Sequence, residues 1–278
     1  MRLSRRSFLA LSGIGAAAGV GLYTWRVEPH RLEIVRRPLR IASLPPRLAG
    51  KSLVQISDLH VGPRVADDYV TATFRRIEAL RPDIVVFTGD FISYHEGWAA
   101  QAEPVYARFP KGRLATLAVL GNHDYGPAWS HPEIAAQVAS LVESLGIAVL
   151  RNSVREVEGL RIAGLDDLWA HQFRPEAALR AVASRGASIV LSHNPDTVDL
   201  GGWEGYEGWI LSGHTHGGQC KPPFLPPPLL PVRNRRYTCG EFSLSGNRRL
   251  YMSRGVGHLL QVRFNVRPEV TVFELREG

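Results

Sequence analysis

The stretch Gly213-His214-Thr215-His216-Gly217-Gly218 follows residues 208–211, whose apolar side chains predict a buried strand. In an extended backbone, side chains two residues apart leave on the same side, so His214 and His216 are expected to face one space. The flanking glycines remove side-chain bulk and let the backbone turn sharply beside an ion or a ligand. The pattern predicts a metal site, and a histidine pair in a polar loop is the alternative.

Four more predicted strands end in polar residues: 53–56 before Asp58 and His60, 84–87 before Asp90, 114–120 before Asn122-His123-Asp124, and 188–191 before His193. Helical spacing lies between strands, over residues 66–80, 98–109, 134–145 and 176–184. Alternating strands and helices predict an α/β protein, and such proteins place their sites at the carboxyl ends of strands. We therefore expect the polar residues of all five strands to meet, which favours the metal site over the polar loop.

The rest of the chain predicts further strands. Residues 32–41 alternate as an edge strand, the runs 148–150, 154–157 and 160–163 suggest a switch to antiparallel pairing, and the tail adds short strands at 237–242, 249–252 and 270–273. No linker composition divides the chain after residue 30. We expect one domain over residues 31–278 and a separate segment at residues 1–30.

The segment 1–30 has the features of an export signal. Ser4-Arg5-Arg6-Ser7-Phe8-Leu9 is a twin-arginine motif, and an apolar run continues to about Trp25. The run is borderline for crossing a bilayer, which takes about 17–25 residues, so the segment is either cleaved or kept as a membrane anchor. Both alternatives predict the twin-arginine translocase as a partner and a domain on the outer side of the cytoplasmic membrane, facing the periplasm.

The composition limits which other partners and which kinds of metal site are expected. The chain has 278 residues and a formal net charge of +7, but its arginines are spread without a dense run or interleaved aromatics, so we expect no nucleic-acid binding. Cys220 and Cys239 are the two cysteines, and a disulfide and two free thiols are both open. No C-x-x-C spacing occurs, which argues against a thiolate metal site.

The predicted site contains seven ligand-type side chains: Asp58, His60, Asp90, Asn122, His193, His214 and His216. Each motif alone is weak, since Gly-Asp is usually only a turn. The ordered series D-x-H, G-D, G-N-H-D, S-H-N and G-H-x-H is the stronger signal. Two carboxylates, one amide and four imidazoles are enough for two divalent ions, and mixed nitrogen and oxygen ligands suit Mn, Fe, Zn or Co.

This series resembles the calcineurin-like metallophosphoesterases over residues from about 50 to 275. Further motifs look like the exported YkuE/YaeI-like branch of that family: Gly164-Leu165-Asp166-Asp167, Ser192-His193-Asn194-Pro195-Asp196, residues 213–219, Arg263-Phe264-Asn265 and Arg267-Pro268-Glu269. The resemblance implies a four-layer α-β-β-α sandwich, with two mixed sheets flanked by helices. It also implies the metal sets: one ion on Asp58, His60 and His216, a second on Asn122, His193 and His214, and Asp90 as the bridge.

The resemblance implies hydrolysis of a phosphoester by a metal-bridging hydroxide. Two divalent cations, two carboxylates and that hydroxide leave a net charge of about +1, which attracts an anionic ester. His123 is the expected non-ligand catalyst, as a proton donor to the leaving oxygen or a stabiliser of developing charge. The alternative is that His123 is a hydrogen-bond partner of the metal ligands and takes no direct part in the reaction.

Protein phosphatases of the superfamily carry G-D-x-x-D-R-G and G-N-H-E, which this chain lacks. Here the stretch after Gly89-Asp90 has no Asp-Arg pair, and Asp124 stands in place of the glutamate. Phosphodiester or pyrophosphate bonds of lipid-linked or cell-envelope substrates are therefore the expected targets. A UDP-2,3-diacylglucosamine pyrophosphatase of lipid A synthesis is the first alternative, and a non-catalytic scaffold of the same fold is the second.

Several other polar residues are expected to have structural or surface roles: His95, His131, His171, His258, Asp166 and Asp167. Arg254 and Arg263 lie in turns of the tail and either hold a phosphate or are solvated. The proline-rich run 222–231 must lie near the site because it follows the G-H-x-H motif. Its apolar residues either pack on the domain or enter a membrane surface, with headgroups meeting Arg233, Arg235 and Arg236.

Overall fold

The computed structural model describes residues 4–183 and 186–278, and for residues 7–10 it describes the backbone. Residues 1–3 of the predicted export signal and Ser184 of the helix expected at 176–184 lie outside the described residues. The helices are α1 Arg5–Leu22, α2 Asp67–Glu78, α3 Trp98–Tyr106, α4 Pro132–Ser144 and α5 Glu176–Ala183.

The strands of the first half are β1 Glu33–Ile41, β2 Ser52–Ile56, β3 Ile84–Thr88, β4 Ala115–Val119, β5 Ala148–Val149 and β6 Ser153–Val157. Those of the second half are β7 Leu160–Leu165, β8 Ser188–Ser192, β9 Gly208–Ser212, β10 Gly240–Ser243, β11 Arg248–Met252 and β12 Glu269–Glu277.

Within the described residues, these strands form two six-stranded sheets. The first has the order β1-β12-β2-β3-β4-β5, in which only β12 and β2 pair antiparallel. The second has the order β10-β11-β9-β8-β7-β6, in which only the outermost pairs, β10 with β11 and β6 with β7, are antiparallel. Both sheets are therefore mixed, and each has a parallel centre whose strands end at one edge.

Strand β3 shows how the layers are held together. Its side chains alternate between two buried clusters, because successive residues of a strand face opposite sides of the sheet. Val86 shares one cluster with Ile189 of β8, between the two sheets. Phe87 shares the other with Phe74 of α2, between the first sheet and its helices. Burial of each such side chain stabilises the fold by about 1.5–3 kcal/mol.

The second sheet is covered on its outer face by α5. Val190 and Ile210 of the sheet share a buried cluster with Leu179 and Val182 of this helix. The order of layers is therefore helices, sheet, sheet, helix. The expected four-layer α-β-β-α sandwich of two mixed sheets is confirmed.

Most predicted elements are present, including the edge strand at 32–41, which is β1. The antiparallel switch is wrong in part. β6 and β7 pair antiparallel, but β5 is parallel to β4 in the first sheet and β7 is parallel to β8. The reason is the connection: β5 follows the crossover helix α4, and such a crossover returns the chain parallel to the strand before it.

In helix α1 the side chains of residues 11–22 are solvent-exposed, including those of Leu11 and Ile14, which are 55% and 66% exposed. In the part of the chain that the structure describes, no helix combines the length and apolarity needed to cross a bilayer. The residues after α1 contact the domain. The Thr24 carbonyl accepts a hydrogen bond from the backbone N–H of Arg263 at 3.0 Å. The buried Glu28 carboxylate accepts one from the N–H of Val266 at 2.8 Å.

Candidate metal centre

The carboxyl ends of β2, β3 and β4 in the first sheet face those of β8 and β9 in the second. The seven predicted ligand residues lie there, each 5% exposed or less: Asp58, His60, Asp90, Asn122, His193, His214 and His216. Burying this many polar side chains without compensation is costly, so the arrangement points to a shared partner.

Six of the seven form two clusters. The ligand atoms of Asp58, His60 and His216 lie within 4.8 Å of one another, and so do those of Asp90, His193 and His214. The Oδ2 atom of Asp90 is 3.2 Å from Nε2 of His193 and 3.4 Å from Nε2 of His60. One carboxylate oxygen thus contacts both clusters, which is the position that a bridging ligand requires.

The backbone at the ligands is not extended, contrary to the assumption made from the i, i+2 spacing. Asp58, His60, His214 and His216 have φ angles of 54°, 50°, 72° and 49°, all in the left-handed region. Because of this, His214 and His216 face different clusters and not one space. Such conformations cost about 1–3 kcal/mol each and are held in place by surrounding structure, typically at functional sites.

Gly213 is one of the residues that permit this close approach of the two sheets. A Cβ atom at this position would overlap Oγ of Ser57 and Oδ2 of Asp58. The backbone N–H of His214 donates to Oδ1 of Asp58 at 2.9 Å. The turn after β9 is thereby fixed against the turn after β2, and the first cluster draws ligands from both sheets.

Hydrogen bonds determine which nitrogen of two histidines faces the second cluster. Nδ1 of His193 is 2.7 Å from the carbonyl oxygen of Thr88, and Nε2 of His214 is 2.8 Å from that of Pro231. A carbonyl only accepts, so these nitrogens carry the protons. The Asn194 amide, at 3.4 Å from Nε2 of His214, is a more distant neighbour. Nε2 of His193 and Nδ1 of His214 remain, 3.1 Å apart.

Two lone pairs at that separation repel unless a cation or a proton lies between them. Burial opposes a charge on His193, but the Asp90 carboxylate raises the pKa of His193 to about 10. A cation that binds to His193 must therefore displace a proton from it. Burial lowers the pKa of His60 and of His214 to about 3. Both imidazoles are therefore neutral at pH 7, which is the form that binds metals.

Asn122 completes the set. It begins the short 3₁₀ turn Asn122–Tyr125 after β4, and the next backbone N–H, that of His123, donates to Oδ1 of Asp90 at 3.0 Å. The buried Asn122 amide has no hydrogen-bond partner among the described residues, at either its oxygen or its nitrogen. An unpaired buried amide costs about 1–3 kcal/mol. The donor set and this unpaired amide fit a pair of divalent cations.

The fourth residue of the G-N-H-D motif has a role that the sequence analysis missed. The buried Asp124 carboxylate accepts hydrogen bonds from the backbone N–H groups of Gly121, Asp90 and Ile92. It therefore fixes the end of β3 against the end of β4 and sets the position of Asp90. Its position as the last residue of the G-N-H-D motif was the feature of the sequence that could have indicated this role.

His123 lies at the mouth of the centre. Its ring is half-buried and meets the His60 ring edge-on, with 5.0 Å between the centroids. It contacts solvent on one side and the first cluster on the other. This position is compatible with the predicted exchange of a proton between water and a bound substrate, and the catalytic role stays a prediction.

The residues assigned structural roles lie outside the two clusters. His95 contacts Gln101, His131 contacts Glu133, and Asp166 binds Tyr125 and Arg151. His258 is buried, with Nε2 2.9 Å from the carbonyl oxygen of Arg64. His171 lies at the surface.

Cys220 and Cys239 are both free thiols, so the disulfide alternative is wrong.

Neither expectation for Arg263 holds. It is fully buried, and its guanidinium donates to the carbonyl oxygens of Arg254, Gly255 and Gly257. It is therefore neither solvated nor free to hold a phosphate. Arg254 pairs with Glu269 and Glu33, so its charge is already compensated.

A four-layer sandwich with two adjoining clusters of nitrogen and oxygen ligands at its carboxyl edge is the architecture of a metallophosphoesterase. The family model of the calcineurin-like phosphoesterases (Metallophos) matches residues 51–218, and the chain belongs to this family. The protein is a metal-dependent phosphoester hydrolase.

Three curated relatives are similar over nearly the whole chain. The uncharacterized metallophosphoesterase YkuE of Bacillus subtilis (strain 168) is 32% identical, covering 99% of this chain and 98% of its own. The phosphodiesterase YaeI of Escherichia coli (strain K12) is 31% identical, covering 98% and 99%. The UDP-2,3-diacylglucosamine pyrophosphatase LpxG of Chlamydia muridarum (strain MoPn / Nigg) is 28% identical, covering 96% of each.

Proposed function

We propose that this protein hydrolyses phosphodiester or pyrophosphate bonds in lipid-linked or other cell-envelope substrates. The observation that carries the proposal is the position of Asp90, whose Oδ2 lies 3.2 Å from His193 and 3.4 Å from His60. A carboxylate shared in this way supports two cations side by side, the arrangement that holds both oxygens of an in-line displacement at phosphorus. The names of YaeI and LpxG support the diester and pyrophosphate classes.

When bound, two divalent cations would supply Lewis acidity to the phosphoryl oxygens and lower the pKa of bound water. Mixed nitrogen and oxygen donors suit Mn, Fe, Zn or Co. The residues that would hold them are Asp58, His60 and His216 for one ion, Asn122, His193 and His214 for the other, and Asp90 for both.

His123 is proposed to give a proton to the leaving oxygen. Its backbone N–H donates to Asp90, which fixes the residue beside the cluster while its ring keeps contact with solvent. Water can therefore reprotonate the imidazole after each turnover. The neutral Asn122 amide leaves Asp58 and Asp90 as the carboxylates of the ligand set, so that the loaded site attracts an anionic ester.

The site opens beside an exposed apolar loop. Phe224, Leu225 and Leu229 of the proline-rich run are 105%, 60% and 76% exposed, and Arg233 follows them at the surface. We propose that this loop enters the surface of an anionic membrane after export by the twin-arginine route. Apolar side chains flanked by arginines are the chemistry that binds such a surface.

The membrane contact can be tested on the full chain with a tryptophan at position 224. Addition of phosphatidylglycerol vesicles to Phe224→Trp is expected to shift its emission to the blue, relative to the same titration of the natural chain. Vesicles of neutral lipid serve as the control for charge. If neither vesicle type shifts the emission of Phe224→Trp relative to the natural chain, the membrane contact is rejected. The hydrolase proposal is not affected by that result.

The hydrolase proposal is tested by loading the protein with each metal and assaying bis-p-nitrophenyl phosphate, p-nitrophenyl phosphate and UDP-2,3-diacylglucosamine. We expect kcat/KM for the diester to exceed that for the monoester at least tenfold, and Asp90→Asn to abolish both. Activity on the monoester alone contradicts the proposal. Selective cleavage of the UDP-lipid favours the lipid A alternative, and no hydrolysis with any metal favours the scaffold.

A further inference from the structure

A cavity of about 570 Å³ adjoins the metal centre. Two half-buried tryptophans, Trp129 and Trp169, form one wall of it, and Ala128, Leu168 and Leu200 add apolar surface. Cavities of this size typically hold small-molecule ligands and are lined mainly by aromatic and aliphatic side chains. Neither the metal clusters nor His123 account for this apolar space.

The two tryptophans lie next to residues of the reactive site, Trp129 beside His123 and Trp169 beside His214. The Trp129 and Trp169 rings are 4.7 Å apart and inclined at 30°. Trp129 is 6.2 Å from the ring of His123, and Trp169 meets His214 edge-on at 4.4 Å. A substrate whose phosphorus lies at the clusters therefore has this wall within reach of one ester arm.

The backbone around Trp129 is held in an unfavourable conformation. Ala128 and Trp129 are consecutive non-glycine residues with φ angles of 50° and 58°, in the left-handed region. Such conformations persist where the surrounding structure enforces them, and they are concentrated at functional sites. On the other side, the N–H of Ala170 donates to the buried Asp167 carboxylate at 2.8 Å and fixes the loop that carries Trp169.

The chemistry of the cavity defines what it can bind. Leu200, which is 39% exposed, lines it with the two tryptophans, and its charged lining residues are Arg233, Asp196 and Asp199. Apolar surface of this kind, next to a phosphoester site, gains free energy when an apolar group covers it. A small polar alcohol would leave the indoles uncovered.

We propose that this cavity binds an apolar arm of the substrate, an aryl ring or an alkyl chain, that is ester-linked to the phosphorus under attack. The proposal rests on the hydrolase function above and makes it specific: Trp129, Trp169 and Leu200 select substrates by their second ester arm. The two carboxylates of the lining, Asp196 and Asp199, already accept hydrogen bonds from the backbone N–H of Arg233 and from the Tyr237 hydroxyl, so the apolar surface remains for the arm.

The test uses three phosphodiesters that share a p-nitrophenyl leaving group and carry methyl, phenyl or octyl as the second arm. For the metal-loaded full chain, kcat/KM for the phenyl or octyl ester is expected to exceed that for the methyl ester at least tenfold. A preference for phenyl alone identifies a ring, and a preference for octyl alone identifies a chain. Trp129→Ala and Leu200→Ala are expected to reduce the ratio at least fivefold.

Leu114→Ala is the matched control, because Leu114 is 41% exposed and directly precedes β4, at the end of the strand away from the site. It is expected to keep the natural ratio. A ratio near one in the natural chain, or one that Trp129→Ala leaves unchanged, overturns the proposal while hydrolysis itself stands.

Calorimetry separates binding from catalysis. Titration with methyl-, phenyl- and octylphosphonate is expected to give at least tenfold tighter binding of one of the larger two, and Trp129→Ala is expected to remove the difference. If none of the esters is hydrolysed, the proposed hydrolase function is rejected. The titration still tests whether the cavity binds an apolar group. Equal binding of all three phosphonates overturns the subsite.

Discussion

The Nε2 atom of His214 lies 2.8 Å from the carbonyl oxygen of Pro231, so the proline-rich run is in direct contact with the second metal cluster. The contact fixes the tautomer of His214 and turns its Nδ1 toward His193, 3.1 Å away. Because its prolines restrict the φ angles of the loop, displacement of the loop should be transmitted to the histidine. The loop proposed to touch a membrane therefore also orients a metal ligand.

Gly218→Ala tests this connection. Gly218 has a φ of 79°, and a Cβ there would overlap Pro227 and displace the proline-rich run. We expect the purified variant to hold about one metal equivalent where the natural chain holds two, measured by mass spectrometry of the bound metals. Gly246→Ala is the control, since Gly246 has a φ of 68° and open space around it. Two equivalents in Gly218→Ala would show that the loop does not orient His214.

His123→Ala should separate metal binding from proton transfer. The side chain lies beside His60 and is not part of either cluster, so both metals are expected to stay. Loss of a positioned acid typically lowers the rate about 10²- to 10⁴-fold, and we expect kcat for the diester to fall within that range. His131→Ala, at an exposed histidine paired with Glu133, should leave kcat near the natural value. Near-normal turnover of His123→Ala would remove the catalytic role.

Asn122 can be changed in two ways with different expected results. Asn122→Ala removes a ligand and should lower the metal content of the second cluster, with dialysis against a weak chelator as the assay. Asn122→Asp should retain the metals but add a negative charge, which weakens the attraction for an anionic ester and raises KM for the diester at least tenfold. An Asn122→Asp enzyme with natural KM and kcat would contradict the charge argument.

Asp167 gives a pH-dependent prediction for the metal-depleted protein. Burial raises the pKa of Asp167 to about 6, and its Oδ2 has no hydrogen-bond partner among the described residues. An unfolded aspartate titrates near 3.9, so between about pH 4 and pH 6 the folded state binds more protons than the unfolded state. This group therefore destabilises the fold as pH rises through that window, by roughly 3 kcal/mol at neutral pH.

Asp167→Asn removes this titration. The free energy of unfolding of the variant, relative to the natural chain, should increase from pH 4 to pH 6 and then stay constant, as measured by urea denaturation in the presence of chelator. A difference that is independent of pH would mean that Asp167 has the same pKa in the folded metal-free state as in the unfolded state.

Much of the molecule follows from local pattern. Buried runs such as 84–87 and the helical spacing between strands depend on neighbouring residues alone, so the pattern correctly predicted the elements and the α/β class, whereas the four layers were implied by the family resemblance. The same holds for the meeting of polar residues at the strand ends, because parallel strands end at a common edge. The pairing of β5 was not predictable in this way, since a two-residue strand contains too little pattern to show which neighbour it joins.

The amino-acid sequence determined the residue types of the metal centre and their order along the chain, because both are properties of short motifs. The family resemblance assigned His214 and His216 to different ions against the i, i+2 argument, and only the tertiary structure gave the reason, since left-handed backbone at both residues overrides the alternation of a strand. It also brought the Pro231 carbonyl to His214 and placed Trp129 beside Trp169. These contacts join residues far apart in sequence, and no spacing along the chain specifies which distant groups close packing will bring together.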